Sequence, residues 1–105
     1  MRVNLKRPIV GLDRKPVPHK DGTPTMANEE VAVYLYNLSN VKGVNLTSEQ
    51  KYRAYILCMR IASSPDCLEL TTEEACLIKD VCCEKMSAGA YGQIVDMIEN
   101  FENNH

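Results

Sequence analysis

Leu46-Thr47-Ser48-Glu49-Gln50 is answered, twenty-four residues further on, by Leu70-Thr71-Thr72-Glu73-Glu74. Each phrase offers a hydroxyl that can accept from orphan backbone donors and, three residues later, a Glu or Gln that can reach back, which is the grammar of a capping box. Two helix starts are therefore written into the chain. The segments that follow them do not otherwise align, so the shared phrase reflects capping chemistry rather than a solenoid repeat. Apolar residues follow each start at helical spacing, with no concentration of nucleophiles, bases or metal ligands. The signal concerns architecture.

Working outward from the first start, a helix over about Ser48 to Ala62 puts Tyr52, Tyr55, Ile56, Met59 and Ala62 on one stripe, with Cys58 and Ile61 widening it. Ser63-Ser64-Pro65-Asp66 ends it, because the residue before a proline resists helical geometry. The second start opens a helix over about Thr72 to Met86 with Ala75, Ile78, Val81, Cys82 and Lys85 or Met86 as one face and Leu77 beside it. After a break at Ser87-Ala88-Gly89, a fourth helix is expected over about Ala90 to Glu102, with Tyr91, Ile94, Val95, Ile98 and Phe101 inward and Gln93, Asp96, Glu99, Asn100 and Glu102 outward. Upstream, Thr25 is the expected cap of a first helix carrying Ala27, Val31, Tyr34, Leu35 and Leu38, with Glu29 and Glu30 in the turn where the helix dipole favours negative charge. Gly43 falls in the loop that follows. No helix of this length is stable alone in water, so the apolar faces must bury one another.

Residues 1–24 hold four of the five prolines, at Pro8, Pro16, Pro18 and Pro24, which excludes a helix interior. Val3 and Leu5 alternate with polar neighbours, Ile9, Val10 and Leu12 form a second apolar patch, and Asp13-Arg14-Lys15 and Asp21-Gly22 mark turns. The expected fold is thus mainly α. It is a compact bundle of about four short helices over residues 25–105, preceded by an extended, proline-rich N-terminal arm or short β-hairpin over residues 1–24.

The 105-residue chain fits one domain and has a net charge of -2, unevenly placed. Residues 1 to 20 carry Arg2, Lys6, Arg7, Arg14, Lys15 and Lys20 against Asp13 alone, a surplus of five; the rest of the chain has a deficit of seven. A basic segment on an acidic body can meet a partner or fold back on its own molecule. Nucleic-acid recognition usually interleaves aromatic residues with basic ones, and residues 1 to 20 contain none.

The five cysteines, Cys58, Cys67, Cys76, Cys82 and Cys83, are odd in number and lack zinc-knuckle spacing, so reduced thiols are expected, and no cofactor or metal. No P-loop, dinucleotide fingerprint, zinc-protease motif or serine elbow occurs. Glu29-Glu30 and Glu73-Glu74 fall in first helical turns, where dipole stabilisation accounts for them. With no secretory h-region and no apolar run of membrane-spanning length, the expectation is a cytoplasmic protein without a membrane partner. Tyr34 and Tyr36 are about 200° apart on a helix, so one must face outward. Outward tyrosines are typical protein contacts, which makes Tyr36, Tyr52 and Tyr55, with the six cations above, the candidate contact residues.

Leu5-Lys6-Arg7-Pro8-Ile9-Val10-Gly11-Leu12-Asp13-Arg14-Lys15-Pro16-Val17, Asp21-Gly22-Thr23-Pro24-Thr25, Gln50-Lys51-Tyr52-Arg53-Ala54-Tyr55, Leu77-Ile78-Lys79 and Tyr91-Gly92-Gln93-Ile94 together resemble small accessory proteins of tailed bacteriophages and prophages. That resemblance implies no catalytic residues. It implies a non-enzymatic role through protein binding inside a bacterial host, either in virion assembly or as an inhibitor of a host protein such as a defence system. The partner would be a phage or host protein, or a second copy in a homo-oligomer; a nucleic-acid-binding regulator using the basic segment is the alternative.

Overall fold

In the computed structural model, which describes residues 1–99, both capping phrases do what their chemistry dictates. Thr47 Oγ1 accepts from the Gln50 N–H while Gln50 Oε1 accepts from the Thr47 N–H, and Thr71 and Glu74 repeat the exchange. The helices they open are α2, Ser48–Ser63, and α3, Thr72–Lys85; α1, Ala27–Tyr36, precedes them and α4, Ala88–Glu99, follows. Among the described residues the fold is mainly helical, with four helices and a small β region at the N-terminus. Four two-residue strands complete it: β1, Arg2–Val3; β2, Asn40–Val41; β3, Val44–Asn45; and β4, Leu68–Glu69.

Helix α1 is capped differently from the expectation. Its N-cap is Met26, not Thr25, and no side chain serves it. Two of its orphan donors are met from afar: the Ala27 N–H donates to the Arg7 carbonyl at 2.8 Å and the Asn28 N–H to the Leu5 carbonyl at 2.9 Å. A cap supplied by the N-terminal segment also fastens that segment to the helix.

The first residues continue this docking. β1 pairs antiparallel with β4, Arg2 opposite Glu69 and Val3 opposite Leu68, and the Leu5 N–H reaches the Pro65 carbonyl at 2.8 Å. Val3 and Leu5 are fully buried and Ile9 nearly so, in one core with Val31 and Leu35 of α1, Leu57 and Ile61 of α2, Ile78 and Val81 of α3, and Ile94 and Ile98 of α4. Residues 1–10 therefore do not stand free of the helices. Val3 lies in a strand and Leu5 just past it, but the strand's partner lies more than sixty residues away rather than across a local hairpin.

Between β1 and α1 the chain makes an eight-residue repeat. Pro8, Pro16 and Pro24 begin three short extended segments, which bridge one another as Pro8 to Met26, Pro16 to Val10 and Pro24 to Pro18. The residue after each proline completes a closed ring of backbone hydrogen bonds: Ile9 donates to Thr25 at 2.8 Å, Thr25 to Val17 at 2.8 Å, and Val17 to Ile9 at 2.9 Å. The ring asks no donor of any proline, so the missing N–H costs nothing there. Both connecting turns share one design. Gly11 donates to Lys15 and Arg14 to Gly11; His19 donates to Thr23 and Gly22 to His19. Asp13 Oδ1 accepts from the Lys15 N–H and Asp21 Oδ1 from the Thr23 N–H, both at 3.0 Å. Arg14 and Gly22 hold the left-handed conformation at φ 64° and 87°. After the third segment the chain enters α1 instead of turning again.

Gln93, expected to face outward on α4, anchors this unit. Its Oε1 accepts from the Val10 N–H and its Nε2 donates to the Val10 carbonyl, both at 2.9 Å. Ala88 and Gly89, expected in a break before α4, lie within it. The loop expected at Gly43 is a β2–β3 hairpin whose central residues, Lys42 and Gly43, both have positive φ, the mark of a type I′ turn. Lys42 also ties the hairpin to α3, its N–H donating to Glu84 and its ammonium lying 3.4 Å from Asp80. The expected positions of Asn100, Phe101 and Glu102 on α4 fall outside the described residues.

The largest departure concerns α2. Its buried residues are Ala54, Leu57, Cys58 and Ile61, the last two expected at the edge of the packing face, while Tyr52, Tyr55, Ile56, Met59 and Ala62, the stripe expected to pack, face solvent. Both sets follow the i, i+3, i+4, i+7 rule, offset by two residues and so by about 200° around the helix. Helix α2 has two apolar faces, and the smaller side chains take the inner one. Ala54 and Cys58 admit a close approach, and the Cys58 thiol donates to the Ala32 carbonyl of α1 at 3.3 Å.

Candidate protein interface

The outer face of α2 is an aromatic and thioether stripe that stands exposed among the described residues. Tyr52 is 65% exposed, Tyr55 46%, Ile56 39% and Met59 46%. The Tyr52 and Tyr55 rings are tilted by 31° with centroids 6.3 Å apart. Together the four side chains leave roughly 400 Å² in water, as large as the biggest apolar patch of an ordinary monomer. Tyr36, the last residue of α1, is also exposed.

Beside this stripe, a groove of about 620 Å³ runs between α2 and the start of α3, lined by Val41, Leu46, Tyr52, Ile56, Glu73 and Leu77 among others. Its charged rim is largely neutralised within the molecule. Arg53 pairs with Glu49 at 2.6 Å along α2, and Arg60 binds the Glu74 carboxylate and the Glu69 carbonyl. The face is therefore close to neutral, and the attraction it offers is apolar.

The six cations singled out from the sequence are all exposed and belong to several segments. Arg2 belongs to β1, Lys6 and Arg7 to the connector after it, Arg14 and Lys15 to the first turn of the repeat and Lys20 to the second. Tyr36, Tyr52 and Tyr55 are exposed, with Tyr52 and Tyr55 side by side. Ile56 and Met59 were read as core and belong with them on the outer face. The signal that could have found them is the second stripe at 54, 57, 58 and 61, which competes for the same core.

A second groove, of about 610 Å³, lies between the repeat, α1 and the α3–α4 corner, with Ile9, Leu12, Val17, Tyr34, Met86 and Ala90 on its walls. Burial, then the adjacent Glu30 carboxylate with which it shares a hydrogen bond, raises the Tyr34 hydroxyl above its ordinary range. The acidic pairs have local employment: Glu30 faces Tyr34 and Glu74 completes a capping box. Cys58 and Cys82 are buried thiols, Cys82 pushed up to about 12 by desolvation, whereas Cys67, Cys76 and Cys83 are exposed. Among the described residues no three of His, Cys, Asp and Glu stand close enough to hold a metal ion, and no helix is long and apolar enough to cross a membrane. Set against known proteins, the chain matches no family model, no curated protein and no solved structure.

Proposed function

We propose that this chain is a non-enzymatic accessory protein of phage type that acts by binding another protein through the outer face of α2, in virion assembly or in restraint of a host protein. The observation that carries this reading is the second complete apolar stripe on α2, exposed while a stripe of equal periodicity on the same helix fills the core. Two tyrosines, an isoleucine and a methionine stand in water on one helix face, and Tyr and Met are enriched where proteins meet. The phage setting rests on the resemblance of the chain itself. The alternative of nucleic-acid binding has less support, because the six cations are spread over β1, its connector and two turns.

The test places a photocrosslinking phenylalanine derivative at position 55, in place of Tyr55, in bacterial cells. The expected result is one discrete protein adduct that disappears when Ile56→Glu is added, while helix content and unfolding midpoint are unchanged. Indiscriminate labelling that Ile56→Glu leaves intact would overturn the reading.

A further inference from the structure

We infer that the occupant of the α2 outer face is a second copy of this chain, packed helix against helix about a two-fold axis; the inference rests on the protein-binding reading above and names the partner. The stripe occupies positions 52, 55, 56 and 59, and its centre, between Tyr55 and Ile56, is also the centre of α2, Ser48–Ser63. A two-fold axis through that point maps the stripe onto itself. Tyr52 of one copy then meets Met59 of the other, an aromatic–sulfur contact, and Tyr55 meets Ile56. Such a face needs no foreign complement.

Area agrees with this occupant, and the charges beside the stripe leave room for it. A stable interface of standard size buries about 800 Å² per partner, of which somewhat more than half, about 450 to 500 Å², is apolar. The stripe supplies roughly 400 Å², most of that apolar share. An antiparallel pairing along α2, about 24 Å long at 1.5 Å per residue, uses the whole helix. The same axis brings Lys51 toward Arg60 of the second copy, a contact between like charges that the in-chain Arg60–Glu74 ion pair offsets, and Arg53 is already held by Glu49.

The experiment is sedimentation of the full chain over the micromolar range, combined with a photocrosslinker at position 52. A dimer whose crosslink falls in the segment around Met59, and whose association weakens about a hundredfold in Ile56→Glu, is the expected result. Tyr52→Gln with Met59→Gln serves as a second variant, with helix content, and the unfolding midpoint at concentrations where the chain is monomeric, as controls for folding. A wild-type chain that stays monomeric throughout overturns the dimer. In that case, an adduct of the position-55 probe with a different protein leaves the protein-binding reading standing, and indiscriminate labelling removes both.

Discussion

Cys82 shows how one side chain records the interior of this molecule. It is fully buried in the core, and desolvation lifts its thiol from about 9 to about 12. The unfolded chain therefore sheds this proton first as pH rises, so stability is complete below pH 9 and is lost between pH 9 and about 12. Cys58 is shifted in the same direction by burial and steepens the loss. The expected penalty from Cys82 is about 1 kcal/mol by pH 10, read from urea midpoints at pH 7 and pH 10. Cys82→Ala should be less stable at pH 7 yet flatter between the two. An equal slope in both proteins would contradict the burial argument. Arg14 makes a different point at this scale. It holds the left-handed conformation that Gly22 holds in the equivalent turn, and Gly22 does so without a Cβ.

At the scale of elements, what could be read from the chain was what is local. The capping boxes of α2 and α3 involve residues three apart, so Thr47 with Gln50 and Thr71 with Glu74 declare both helices without help from the rest of the fold. The cap of α1 was illegible for the opposite reason: its donors are met by Leu5 and Arg7, about twenty residues upstream, and Thr25 is engaged in the hydrogen-bond ring. The rotation of α2 was undecidable from periodicity, because residues 52, 55, 56, 59 and residues 54, 57, 58, 61 satisfy the same rule. Size favoured the tyrosine stripe, but the close contact with α1 selects the face with Ala54 and Cys58. The exposure of Ile56 and Met59 was hidden by that same ambiguity, whereas Tyr36, Tyr52 and Tyr55 could be named from chemistry alone. Neighbouring truncations resolve the matter: Leu57→Ala should cost about 2 to 4 kcal/mol in urea unfolding, and Ile56→Ala less than about 1 kcal/mol under conditions where the chain is monomeric. Reversed costs would place the expected stripe back in the core.

For the molecule as a whole, the N-terminal segment is a wrap that connects distant parts of the helical body. β1 lies on β4, the carbonyls of Leu5 and Arg7 cap α1, and Val10 is clasped by Gln93 of α4. A radius of gyration of 13.4 Å matches about 13 Å for a folded chain of 100 residues, as it must if residues 1–24 lie against the body. The prolines, the Asp turns and the eight-residue spacing were all present to be read; the contacts over 65 and 83 residues were not, since nothing local encodes them. Hydrogen exchange distinguishes a docked wrap from a loose leader. The amides of Ile9, Val17 and Thr25 form a closed ring, so they should exchange far more slowly than free chain and open together. Gln93→Ala leaves the Val10 N–H and carbonyl without their partners, costing about 1 to 3 kcal/mol. If the wrap opens as a unit, that variant should speed exchange at all three ring amides while the amides of Leu57 and Ile78 in α2 and α3 keep most of their protection. Free-chain exchange at the ring in the wild type would mean that the helical body holds together without the wrap.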